Sequence, residues 1–312
     1  MLIDDNVLTY EEKTVFALRS LYAGAGYASY TMNKFEPYDL YMRNKDFLLS
    51  DSVITFTDTN GQLMALKPDV TLSIAKNSRF ESGAVRKVYY DEKVYRPAHG
   101  GGPFREIRQT GLEALGDIGP KELGEVLLLA EKTLSTVSSE WALDISCPVL
   151  LSMALDADGA QGETRQALLE AVGSKAFHAL RGIAESSGLA GLPALTALLA
   201  VEGNAREAAA DGRLDAFCAL CPGAEDAVNS LKALLSDTDA KHTRLDFSVQ
   251  SDLRYYSDIV FSGFAEGVPA PVLRGGRYDP LLRRLGKKGG AIGFALYLDL
   301  LEFSGREENE KC

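Results

Sequence analysis

The chain has 312 residues, 46% of them hydrophobic, which is apolar material enough for one large or two ordinary domains with a real core. Its net charge of −11 disfavours a surface built to neutralise a phosphate backbone, so no nucleic-acid partner is expected. No run approaches the roughly 18 apolar residues of a membrane span, and Met1 to Tyr10, carrying Asp4 and Asp5, lacks the pattern of a signal peptide, so a cytoplasmic protein with no membrane partner is expected.

In chain order, Val15, Leu18, Leu21 and Tyr22 mark a helix over residues 9–23, with Thr9 as its cap and Glu11 and Glu12 in its first turn. The aromatic, proline-punctuated stretch Tyr27 to Tyr41 suits a strand followed by an irregular segment. Val53 to Leu66 reads as a hairpin turning at Asn60-Gly61, where positive φ is needed. A helical stretch follows Lys67-Pro68-Asp69-Val70-Thr71 and runs to Lys76.

Two long strands come next, Val85 to Arg96 and Phe104 to Leu115, joined by a glycine-rich loop that can approach a ligand closely. Glu122 to Thr136 is a helix and Ile145 to Met153 a strand. From Gly162 to Ser236 the texture changes to alanine- and leucine-rich helices, read as a helical insertion. Strands resume at Arg244 to Gln250, Arg254 to Phe261 and Pro271 to Arg274, followed by a helix through Arg284. Gly289 to Glu302 closes the chain as a short buried strand, Ala291 to Phe294, with Leu296, Leu298, Leu300 and Leu301 at helical positions.

The cysteines Cys147, Cys218, Cys221 and Cys312 have no disulfide-framework spacing. Cys218 and Cys221 form a CxxC with no second pair or histidine pair beside it, and His99, His178 and His242 are scattered, so no metal site and no cofactor are expected. Long antiparallel strands with flanking helices and a helical stretch between them indicate an α+β fold.

Five ordered segments go further: KPDVT (67–71), VYR with FREIRQTGLEALG (94–96 and 104–116), DLRYYSDIVF (252–261), RGGRYDPLL (274–282) and AIGFALYLDLL (291–301). Together they resemble the catalytic domain of histidyl-tRNA synthetases, over residues 11–302. The resemblance implies a class II aminoacyl-tRNA synthetase-like domain filling 1–312, with 162–236 inserted in it. It also implies a histidine pocket formed by Asp69, Thr71, Gln109, Glu113, Tyr255 and Tyr256, with Arg96 as an anion or carboxylate contact. The chemistry suits the role: the two carboxylates can meet the α-ammonium and an imidazole N–H, Thr71 and Gln109 set orientation, and the tyrosines form aromatic walls.

Departures from the family are as specific as the likeness. Where synthetases place an arginine for the far phosphate after an acidic residue, this chain has Asp299-Leu300, and where they place one four residues before the paired tyrosines it has Ser251. Losing two cations that face developing negative charge removes several kcal/mol of transition-state stabilisation, so adenylate formation is not expected. The C-terminal tRNA-reading domain of synthetases is likewise expected to be missing, since the sequence stops at Cys312.

A retained pocket without the phosphate arginines resembles the synthetase-like regulatory subunits of ATP phosphoribosyltransferase. That resemblance implies a non-catalytic partner of the short-form catalytic subunit, acting in histidine feedback on the first step of histidine biosynthesis. It implies a homodimer joined through Thr9 to Tyr41 within a hetero-octamer. Two other readings stand beside it: a truncated synthetase paralogue that still activates an amino acid with ATP, and a free-standing histidine sensor.

Overall fold

The computed structural model describes residues 7–48, 52–97, 102–249 and 255–301. Helix α1 (Tyr10–Gly24) opens on a reciprocal cap in which Thr9 Oγ1 accepts from the Glu12 amide and Glu12 Oε2 accepts from the Thr9 amide. It buries Val15, Leu18 and Tyr22. After it come β1 (Ala28–Ser29), β2 (Phe35–Pro37) and the short helix α2 (Tyr38–Arg43), so the stretch read as a strand followed by an irregular segment is two short strands and a short helix.

Strands β3 (Thr55–Thr57) and β4 (Leu63–Leu66) form the hairpin read from sequence, with Gly61 at φ 78° and the Asp58 carboxylate accepting from the amides of Asn60 and Gln62. Helix α3 (Thr71–Asn77) leads to the long pair β5 (Val85–Pro97) and β6 (Phe104–Gly116) and then to α4 (Pro120–Val137). The glycine loop between β5 and β6 lies mostly outside the described residues.

Strand β7 (Trp141–Ser146) precedes helix α5 (Pro148–Ala157), which corrects the strand expected over residues 145–153. Pro148 at the first helical position, with its φ already preset, ends the strand and starts the helix. Residues 162–236 carry α6 (Gly162–Gly173), α7 (Leu180–Ser186), α8 (Pro193–Leu199), a two-residue strand β8 (Gly203–Asn204), α9 (Ala205–Ala210), α10 (Arg213–Leu220) and α11 (Glu225–Ser236). Leu168, Leu195, Phe217 and Leu231 of these helices belong to the same apolar cluster as Leu134, Ile145 and Phe294.

Strand β9 (Thr243–Leu245) is shorter than expected, and β10 (Val260–Ala265) begins six residues beyond the expected start at Arg254, which lies outside the described residues. Strand β11 (Leu273–Arg277), helix α12 (Asp279–Arg284) and strand β12 (Gly290–Tyr297) follow. Leu296 is part of β12 and not of the closing helix, which starts at Leu298. Pairing along the whole length of β12 with β6 on one side and β11 on the other holds this residue in the sheet against its local helical spacing.

Among the described residues nine strands form one sheet in the order β1-β5-β6-β12-β11-β10-β7-β9-β8, antiparallel except for β1 with β5 and β7 with β9. A second, three-stranded antiparallel sheet has the order β2-β4-β3. The α+β expectation with a mostly antiparallel sheet holds. Alternation divides the central strands: Leu112, Ala114, Ile292 and Phe294 face the large cluster beneath α1 and α4, whereas Leu115 and Ala291 face a smaller cluster with α3 and α12.

On that second face the glycines of β11 and β12 make room. A Cβ on Gly293 would stand 1.8 Å from Glu113 Oε2 and 2.4 Å from the Leu112 carbonyl oxygen. Gly293→Ala is therefore expected to lower stability by about 1–3 kcal/mol, read as a lower urea midpoint at unchanged slope. Combining it with Glu113→Ala should recover part of the loss, and an unchanged midpoint in the single variant would contradict this packing.

Candidate functional site

Across β6, β12 and β11, residues directly opposite one another share a face, so Glu113, Gly293 and Gly276 form one row and Gly111, Ala295 and Arg274 the next. Gln109 stands opposite Tyr297 in a third row. These rows are the floor of a cavity of about 350 Å³. Asp69, Thr71, Gln109, Glu113, Tyr255, Tyr256 and Arg96 all line it, so every site residue expected from sequence is brought to one place.

Glu113 is at the centre, 2% exposed. Thr71 Oγ1, from the first residue of α3, donates to its Oε1 at 2.7 Å, and the Tyr278 hydroxyl, from just before α12, donates to its Oε2 at 2.6 Å. Burial nonetheless dominates and pushes the Glu113 carboxyl up to about 8, against the two hydroxyl donors and helped by the nearby Asp69 charge. Tyr278 was not among the site residues singled out from sequence, although it sits inside the quoted RGGRYDPLL segment.

Asp69 serves two purposes. Its Oδ1 accepts from the Leu72 amide at 2.7 Å and so caps α3, while Oδ2 lies 3.7 Å from the Arg96 guanidinium. Burial raises its carboxyl, opposed by Arg96 and by the amide donors of Leu72 and Thr71. Arg96 also donates from Nε to the Pro68 carbonyl at 2.6 Å, which fixes it beside the turn that carries Asp69. At the other end of α3, Lys287 Nζ donates to the carbonyls of Lys76 and Ser78 at 2.7 and 2.6 Å.

The aromatic wall is built from three tyrosines and a phenylalanine whose rings are tilted against one another. Tyr255 lies 4.5 Å from Tyr256, 6.0 Å from Tyr278 and 5.8 Å from Phe47, measured between ring centroids. The two paired tyrosines come from a turn, not from the strand expected there, and burial raises both hydroxyls. Gly276 permits this seating, since a Cβ there would come within 2.5 Å of the Tyr256 ring. The Gln109 side chain is 2% exposed, and its Nε2 has no hydrogen-bond partner among the described residues.

The chemistry of this lining suits a small polar molecule with aromatic character. Buried acceptors on one side, an uncommitted amide donor and an aromatic wall together suit a ligand that carries N–H groups and a flat ring. Leu300, where an ATP-using relative places a cation, packs against the large apolar cluster. Ser251 lies outside the described residues, and groups of three or more metal-ligating side chains are absent among the described residues.

The sheet order and this pocket define a class II aminoacyl-tRNA synthetase-like protein. The chain belongs to the histidyl-tRNA synthetase family, whose model matches residues 5–301, in its branch of ATP phosphoribosyltransferase regulatory subunits. It is 30% identical over 292 residues to the ATP phosphoribosyltransferase regulatory subunit of Anaeromyxobacter dehalogenans, covering 90% of this chain and 83% of that protein. The fold is similar to that of an ATP phosphoribosyltransferase regulatory subunit/histidyl-tRNA synthetase from Bacillus halodurans, with TM-score 0.78, 23% identity and coverage of 93% and 78%. It is also similar to a chain of the ATP phosphoribosyl transferase (HisG:HisZ) complex from Thermotoga maritima, with TM-score 0.68, 15% identity and coverage of 95% and 98%.

The buried carboxyl has a thermodynamic signature. Because folding raises Glu113 from 4.5 to about 8, the native state keeps a proton that the unfolded chain loses across that interval. Stability should therefore fall as pH rises from about 4.5 to 8 and level off above it. Glu113→Gln should flatten that dependence in urea titrations at several pH values, and an unchanged slope would contradict the assignment.

Proposed function

We propose that this protein is a non-catalytic regulatory subunit that joins the short-form catalytic subunit of ATP phosphoribosyltransferase and reports histidine to it. The carrying observation is the pairing of a polar and aromatic cavity with an apolar, half-buried Leu300 that packs against the large cluster. A site that keeps ligand recognition and puts a hydrocarbon where a phosphate needs a cation is suited to binding without adenylation.

In this reading the imidazole lies against the tyrosine wall with one N–H toward Glu113, and the α-ammonium faces Asp69 and Thr71. Gln109 Nε2, which lacks a partner among the described residues, gains one from the ligand. Ligand N–H groups at Glu113 favour its ionised form, so histidine binding near pH 7 releases protons. Occupancy then regulates by linkage: a ligand that prefers one assembly state shifts the balance between states without any reaction in the pocket. The relatives named as regulatory subunits support a partner of this kind, and the fold shared with a chain of the Thermotoga maritima complex is compatible with it. We further propose a homodimer through the α1 region inside that assembly.

One preparation tests the reading twice. With histidine and ATP, pyrophosphate exchange should stay at background, whereas a short-form catalytic subunit should gain activity when this protein is added. Robust exchange, or a catalytic subunit indifferent to it, would sink the proposal. Calorimetry should give histidine binding that weakens at least tenfold in Tyr256→Ala and Glu113→Ala, with binding enthalpy that varies with buffer ionisation enthalpy. Equal affinity in wild type and both variants would mean that the ligand sits elsewhere.

A further inference from the structure

Five charged side chains line the cavity: Asp46, Asp69, Arg96, Glu113 and Arg274. Of the two cations, Arg96 is committed to the Pro68 carbonyl and to Asp69. Arg274 is exposed and makes no ion pair or side-chain hydrogen bond among the described residues. Its cross-strand neighbours on the shared face are Ala295 of β12 and Ser262 of β10, neither of them acidic. An arginine set in the floor of a cavity, between two small residues and with no counter-charge paired to it among the described residues, is placed for an anion that arrives with the ligand.

Its position in the grid says which anion. Arg274 lies one row along and two strands across from Glu113, which puts the two Cα atoms about 12 Å apart from a strand spacing of ~4.8 Å and a rise of ~3.3 Å per residue. Side chains that stand up from the same sheet face at that separation leave room for one amino acid between them. Gln109, two residues from Gly111 on the same face, offers its unpartnered buried Nε2 into the same cavity. The acidic wall is thus at one end of the cavity floor, and the uncommitted cation is at the other.

We infer that Arg274 is the specificity-determining contact for the α-carboxylate of the bound amino acid, so that the pocket selects a free carboxylate and rejects amides, amines and alcohols of the same ring. This inference rests on the reading of the cavity as a histidine site. It assigns the carboxylate to Arg274, leaving Arg96 to hold Asp69. Because Arg274 is exposed and joined to nothing else among the described residues, replacing it does not disturb the fold.

The test is calorimetric titration of the full-length protein with histidine and with histidinamide, which keeps the ring and ammonium but lacks the carboxylate, on wild type, Arg274→Gln and Arg274→Lys. Wild type should prefer histidine by about tenfold or more, the size of one charge-assisted contact at a partly solvated site. Arg274→Gln should lose that preference by weakening histidine alone, and Arg274→Lys should restore part of it, with melting temperature unchanged throughout. If Arg274→Gln weakens both ligands equally, or neither, the assignment of Arg274 is overturned while the pocket reading stands. If wild type binds neither ligand, the pocket reading itself falls, and the inference with it.

Discussion

A carboxyl group buried against its own desolvation cost is the constraint around which this structure is arranged. Glu113 occupies the middle of the central strands, and three separate elements contribute to holding it there: Thr71 at the start of α3, Tyr278 just before α12, and Gly293, whose missing side chain leaves the space its oxygen fills. Two hydroxyl donors do not cancel the penalty of burial, as its raised pKa shows. Strands β6 and β12 must stay in register for the arrangement to exist, because a slip of one residue would turn Glu113 into the apolar cluster beneath α1 and α4.

The opposite face supplies the means. Leu112, Ala114, Ile292 and Phe294 join the helices in one contiguous core, and the helices of residues 162–236 contribute to that core as well. Apolar burial on one side of the strands thus offsets the cost of a polar cavity on the other. Sheets with one packed and one functional face follow naturally from a side-chain period of two.

The long strands β5 and β6, the capped helix α1 and the hairpin at Gly61 were legible in the sequence because local signals and tertiary placement agree there. Legibility failed where the two disagree. Leu296 has helical spacing with its neighbours yet lies in β12, and residues 149–153 look strand-like but follow Pro148, which starts α5. The site residues were legible as a set only through the order of five segments, since Asp69 alone reads as a helix cap and does act as one. Tyr278 and Arg274 were given no site role although they lie inside a segment quoted for the resemblance, because cross-strand adjacency to β6 and β12 does not appear in linear order.

Helix α3 is fastened at both ends, by the Asp69 carboxylate at its start and by Lys287 on the carbonyls at its finish. One wall of the cavity is therefore a short strut with little freedom to lose when a ligand arrives. Ordering entropy that a looser wall would surrender on binding is already spent during folding, which favours tighter binding of a molecule that fits the cavity. Lys287 ties the far end of that strut to the segment leading into β12, so this wall is anchored to the same strand that carries Gly293.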